Sequence, residues 1–91
     1  MPSCRSSGVL TASGLVFTGQ CKLISIHVCE VNNGAATIKV FDGTSNSGKE
    51  VARMVLSANE TKEFDMHGVI CSTGLFFEET SGQVACSIEF A

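Results

Sequence analysis

The chain contains no tryptophan, no tyrosine and a single proline, Pro2. Without Trp or Tyr it lacks the flat rings with a polar handle that sugar-binding sites use as stacking platforms, so a carbohydrate-binding module would have to do without them. The six phenylalanines are the only aromatics and suit a core. With one proline, at position 2, the turns must be punctuated by other residues. Charge is also scarce: Asp, Glu, Lys and Arg make up 16% of the chain, against about 25% in a typical soluble domain. Two readings fit this deficit, a surface partly covered by a partner or sister subunit or a solvated surface rich in Ser and Thr.

The six basic residues, Arg5, Lys22, Lys39, Lys49, Arg53 and Lys62, are scattered, and the net charge is −3. No basic stripe exists to neutralise a phosphate backbone, and no nucleic-acid partner is expected. No segment approaches the roughly 20 apolar residues that cross a bilayer. The opening MPSCRSSGVLTASG lacks the apolar core of a secretory signal. The expectation is a chain made in the cytoplasm with no membrane partner. Five cysteines (Cys4, Cys21, Cys29, Cys71, Cys86) are an odd number without a C-x-x-C pair, which fits neither a disulfide framework nor a zinc site. They read mostly as small buried hydrophobes. A bridge between Cys21 and Cys29 within one straight strand is excluded, because eight steps of about 3.3 Å separate them by about 26 Å, and bridged Cα atoms lie within about 7 Å.

What is present is alternation. Ninety-one residues, 44% of them hydrophobic, make one folded domain over 1–91, with residues 1–7 as a flexible N-terminal arm. In VACSIEF, Val84, Cys86, Ile88 and Phe90 alternate with Ala85, Ser87 and Glu89, a period of two that predicts a strand. In KLISIHVCEV, Ile24, Ile26 and Val28 alternate against Leu23, Ser25, His27 and Cys29, which predicts a central strand with both faces partly covered. In TIKVFD, Ile38 and Val40 oppose Thr37, Lys39 and Phe41. Shorter strands are expected at 8–12, 15–18, 50–56, 61–66, 69–71 and 75–80. Over 50–56 a helix is the rival, since Val51, Met54, Val55 and Ala58 also fit a helical stripe, but frequent β-branching and the short run favour strand. Glycine turns separate the segments, among them Asp42-Gly43, Ser47-Gly48, His67-Gly68, Thr73-Gly74 and Ser81-Gly82. Asn33-Gly34 is the best candidate for a type I′ hairpin. Short strands at this spacing favour an all-β antiparallel sandwich or barrel.

The segment GTSNSGK, Gly43–Lys49, approaches the phosphate-cradling G-x-x-x-x-G-K-[ST]. The residue after the lysine is Glu50, a carboxylate where a magnesium-binding hydroxyl is required, and the chain has no βαβ unit. The segment therefore reads as a loop between two strands, exposed in a sandwich, with no cofactor. His27, His67, Asp42, Glu78 and Glu79 have no metal-ligand spacing, so no metal site is expected. No G-x-S-x-G and no cysteine signature is present, so no catalytic residues are expected. Asn59-Glu60-Thr61 matches the N-glycosylation sequon, which reads as chance in a chain without a secretion signal.

The runs TASGLVFTGQCKLISIHV, ATIKVFDGTSNSGKEVARMVL and FDMHGVICSTGLFFEETSG, with the closing SIEF, resemble small structural proteins of tailed bacteriophages, including those of cyanobacteria. The shared features are a strand ending in a Thr-Gly turn, an aromatic-Asp strand followed by a Ser/Gly loop, and a G-[VI]-x-x-x-x-G-[LI] hairpin, here Gly68-Val69 to Gly74-Leu75. The likeness spans Thr11 to Phe90 and rests on glycines and strand residues. It implies a jelly-roll-like sandwich of about eight short strands. It also implies a virion component without enzymatic activity, such as a capsid cement (decoration) protein. Such a protein forms a trimer or dimer and contacts the major capsid protein or another virion protein. A tail or fibre accessory and a small carbohydrate-binding sandwich are the alternatives.

Overall fold

The computed structural model describes residues 4–91, which form eight β-strands: β1 (Arg5–Ser6), β2 (Gly14–Thr18), β3 (Cys21–Glu30), β4 (Ala36–Asp42), β5 (Lys49–Leu56), β6 (Thr61–Cys71), β7 (Gly74–Ser81) and β8 (Val84–Phe90). They build two four-stranded antiparallel sheets in the orders β1-β8-β3-β6 and β2-β7-β4-β5. This interleaved order is that of an eight-stranded jelly roll. The molecule measures 35 × 31 × 17 Å. Its thin dimension is that of two sheets stacked about 10 Å apart with their outer side chains.

Alternation builds the core. Along β8, Val84, Cys86, Ile88 and Phe90 are buried while Ala85, Ser87 and Glu89 are only partly covered. Along β4, Ala36, Ile38 and Val40 point inward with Met54 and Leu56 of β5. Leu75 and Phe77 of β7 and Leu23, Ile26 and Val28 of β3 complete the core between the sheets. Residues 49–56 are strand, not helix. Their pairing with β4 buries the alternate Met54 and Leu56, a gain from tertiary contacts that outweighs the weak helical stripe.

Four local expectations are corrected. The strand foreseen at 8–12 reduces to an isolated bridge between Leu10 and Cys86, and the first strand is instead Arg5–Ser6, paired with Phe90 and Glu89. Of the arm foreseen at 1–7, residues 1–3 lie outside the described residues. His67-Gly68 is not a turn between two strands. Both residues have positive φ, 57° and 83°, and they lie inside the continuous β6 as a bulge, with Met66, His67 and Gly68 set against the single residue Ile24. β3 has its own irregularity at the same place, Ile24 being an extra residue between the Leu23–Phe90 and Ser25–Glu89 pairs with β8, so that Leu23 and not Ile24 joins Ile26 and Val28 in the core. Finally, neither Asn33-Gly34 nor the Gly68–Leu75 segment forms a hairpin, because each joins strands of different sheets. Asn33 has φ 55°, so the local chemistry is as expected while its use differs.

Among the described residues, only β4 and β5 are both consecutive and paired, and their loop is GTSNSGK. Thr44, Ser45, Asn46 and Ser47 are exposed, and the loop's base is tight. A Cβ on Gly48 would lie 2.5 Å from the Asp42 carbonyl oxygen. Asp42 itself accepts hydrogen bonds from the backbone N–H groups of Ser72 (3.0 Å), Thr73 (2.9 Å) and Gly74 (3.4 Å), fastening the end of β4 to the β6–β7 turn. The tip beyond that clasp supports nothing else. Replacing Ser45–Ser47 with a shorter turn should change the unfolding free energy by less than about 1 kcal/mol, read from urea denaturation; a larger loss would mean that the tip takes part in the fold.

Candidate functional site

At the other end of the sandwich, Glu30 closes β3. Its side chain is 3% exposed and accepts the N–H groups of Asn32 (2.6 Å) and Asn59 (2.8 Å), pinning the β3–β4 and β5–β6 connections together. Asn59, the sequon residue, has φ 58° and gives its side-chain amide to Asn33 Oδ1 at 2.9 Å. Glu30 and Asp42 thus act as anchors at opposite ends, each satisfying backbone donors that loops leave unpaired.

A cluster of polar side chains lies on the outer face of the β1-β8-β3-β6 sheet. The register places Ser25 beside Glu89 of β8 and Asp65 of β6, and His27 beside Ser87 and Glu63. His27 Nε2 lies 3.1 Å from Glu89 Oε1 and 3.3 Å from Ser25 Oγ, and His27 Nδ1 lies 3.5 Å from Glu63 Oε2. The Ser25 hydroxyl donates to Glu89 Oε1. A serine and a carboxylate on opposite ring nitrogens of one imidazole is the connectivity of a nucleophilic relay. Here, however, the hydroxyl is directed to Glu89 rather than to the imidazole, and Ser25 is 7% exposed. What the arrangement does is hold an imidazole ring between two carboxylates. Beside it runs an open groove of about 210 Å³ bounded by Val9, His27, Cys29, Thr61, Ala85 and Ser87.

The outer face of the second sheet has a different character. Leu15, Phe76 and Phe41 form an apolar row across β2, β7 and β4, with the Phe41 and Phe76 ring centroids 6.5 Å apart. Next to it runs a charged row, Glu78 paired with Lys39 and Lys39 with Arg53. Arg53 makes a two-pronged contact with Glu50 (2.8 and 2.9 Å). Glu50, the residue that spoils the phosphate-loop pattern, is therefore an arginine partner on the sheet surface.

The remaining residues weighed as ligands are dispersed. His67 sits exposed at the β6 bulge, where its backbone N–H donates to Asp65 Oδ1 at 2.9 Å. Glu78 faces Lys39, and Glu79 accepts the Val84 N–H. Among the described residues, no three His, Cys, Asp or Glu side chains are placed to hold a metal ion. The Ser25–His27–Glu63–Glu89 cluster had no signature in the chain, since its members come from three strands. Only the register joins them.

Four carboxyls are held below their ordinary titration range, each chiefly by hydrogen bonds to the ionised form; for the exposed-face Glu50 the donor is the Arg53 guanidinium. For Glu30 the largest cause is the Asn59 N–H, for Asp42 the Thr73 N–H, and for Glu89 the Ser25 hydroxyl followed by His27. Each binds its proton more weakly folded than unfolded, so the unfolded chain takes up more protons and stability falls as pH falls. The urea midpoint should hold from neutral pH down to about 5 and then decline steadily; a midpoint flat down to roughly pH 3 would show that these contacts contribute nothing.

The strand order and the two anchored ends define a jelly-roll β-sandwich. Comparison with protein-family models, with curated proteins and with solved structures finds no match to the chain.

Proposed function

We propose that the protein is a structural component of a tailed-phage virion, without enzymatic activity, that binds the assembled capsid as a homo-oligomer and stabilises it. The observation that carries this reading is the jelly-roll order β1-β8-β3-β6 and β2-β7-β4-β5, an architecture used by viral capsid domains. The resemblance of Thr11–Phe90 to small phage structural proteins points the same way, and so does the low charge content of 16%.

A cement protein works by burying surface on both sides of a seam, which raises the free energy of separating the subunits. A stable interface takes about 800 Å² from each partner, about a sixth of this chain's 4914 Å² of accessible surface. One broad face of the sandwich supplies that much. Pairing with sister copies would also cover the edge strands β1, β6, β2 and β5, whose unpaired backbone groups otherwise invite indiscriminate association.

The test is to measure the oligomeric state of the purified protein and its co-sedimentation with capsid shells that lack it. The expected result is a dimer or trimer that binds shells and raises the temperature at which they come apart. A strict monomer that leaves shells unbound overturns the proposal. A position on the tail in a virion reconstruction would instead indicate a tail or fibre accessory. Lectin domains share the jelly-roll order, which supports a carbohydrate-binding module as a second reading. Uniformly blank glycan arrays would remove it.

A further inference from the structure

Cys21 and Cys71 face one another as the first register pair between β3 and β6. Both are buried free thiols, and the Cys71 thiol donates weakly to the Val69 carbonyl oxygen on its own strand at 3.9 Å. Directly opposed residues of an antiparallel ladder have Cα atoms about 4.5–5.5 Å apart, inside the roughly 4.4–6.8 Å span that disulfides occupy. The other thiols are placed differently. Cys29 lies opposite Ala85 while Cys86 lies opposite Val28, so those two point to opposite faces of the sheet. Cys4 is exposed ahead of β1.

We propose that Cys21 and Cys71 are a redox modification site that closes a disulfide between β3 and the edge strand β6 when the chain meets a small disulfide oxidant of the glutathione class. The Cys21 thiol loses its proton, and its thiolate attacks one sulfur of oxidised glutathione. The glutathione S–S bond breaks and one glutathione thiolate leaves and takes up a proton. The Cys71 thiolate then attacks the Cys21 sulfur of the mixed disulfide and expels the second glutathione as a thiol. Two protein thiols are oxidised, and one glutathione disulfide is reduced to two thiols.

Access decides which sulfur reacts first. A cleft of about 310 Å³ bounded by Gln20, Cys21, Lys22, Ile70 and Ala91 opens against Cys21, and Lys22 puts a positive charge at its rim for the carboxylates of glutathione. Cys71 is fully enclosed. Burial, with Cys21 and Asp42 beside it, pushes the Cys71 thiol up to about 11, against about 8.5 for a free thiol. Its thiolate is correspondingly rare at neutral pH. The site therefore answers sustained oxidation rather than a brief pulse.

The bond would have a structural effect as well. Cys71 is the last residue of β6, immediately before Ser72, whose N–H is held by Asp42. A link to β3 would lock the end of an edge strand that otherwise depends on one neighbour.

The purified chain, incubated for hours with oxidised glutathione at about pH 8, is alkylated in denaturant and mapped by mass spectrometry. The expected result is loss of two hydrogen atoms, one linked peptide pair joining Cys21 to Cys71, and alkylation of the other three cysteines. The urea midpoint should rise and return on adding dithiothreitol, and maleimide should modify Cys4 in the native protein well before the pair is consumed. In Cys71→Ser the link should be replaced by a glutathione adduct on Cys21. If that variant does not fold, the unsubstituted chain decides alone. Alkylation of all five thiols, a link between any other pair, or a Cys21–Cys71 link that forms only in urea overturns the proposal.

Discussion

Replacing Phe77 with alanine should destabilise the domain by about 3–5 kcal/mol. Phe77 is the largest of the fully enclosed side chains. It sits on β7, between Gly14 of β2 and Val40 of β4, so its ring fills the middle of the core from a strand hydrogen-bonded on both sides. The loss combines apolar area returned to water with a cavity that the two stiff sheets cannot close. For a domain whose whole stability is about 5–15 kcal/mol, that is a large fraction of the total, and the urea midpoint should fall by roughly a third or more. As a comparison, Phe76→Ala, one residue along and on the outer face, should lose well under half as much. Equal losses for the two would mean that the inward and outward faces of β7 are wrongly placed.

Gly82→Ala should be comparably damaging for a backbone reason. Gly82 has φ 74°, a region that disfavours an L side chain by about 1–2 kcal/mol. Space is the larger obstacle. An added Cβ would run into the Ala35 carbonyl oxygen and lie 2.8 Å from both Cα and Cβ of Ala36, all of them on or beside the start of β4. None of these atoms can swing aside as a long side chain could, so the connection from β7 to β8 must move away from β4. Gly8 separates the two causes. It has nearly the same φ, 73°, and nothing within 4 Å of an added Cβ, so Gly8→Ala should show the conformational penalty alone. The expected order in denaturant unfolding is wild type, then Gly8→Ala, then Gly82→Ala by a clear further step. Equal losses would show that the close approach to Ala35 is easily relaxed.

The strands were legible because each side of a half-buried sheet writes itself into every second residue. VACSIEF kept its phase from end to end, and TIKVFD kept it as far as Val40, after which Phe41 is buried as well. KLISIHVCEV did not, since Ile24 is an extra residue on β3 between the Leu23–Phe90 and Ser25–Glu89 pairs with β8, opposite the Met66–Gly68 bulge of β6, and no residue type within β3 marks that irregularity. Turn chemistry was legible in the same limited sense. Asn33, His67 and Gly68 all take the positive φ that their types allow, yet one serves a crossover between sheets and two serve a bulge. Residue type sets how sharply the chain can bend, while the receiving sheet is chosen by long-range packing. The polar cluster around His27 and the Cys21–Cys71 pair were hidden for that reason. Ser25 and Glu89 are 64 positions apart, and only the folded register brings them together.

The strand order also sets the tempo of folding. Among the described residues, the hairpin closed by GTSNSGK is the one place where neighbouring strands in the chain are also neighbours in a sheet. Every other ladder must first bring together distant segments, the extreme case being Arg5 with Phe90. The entropy of closing such loops is lost before any contact is gained, and sandwiches of this kind fold in milliseconds to seconds rather than microseconds. A loop that once suggested a nucleotide cradle thus marks the natural starting point for assembly, and the rest of the jelly roll has to wait for encounters across nearly the full length of the chain.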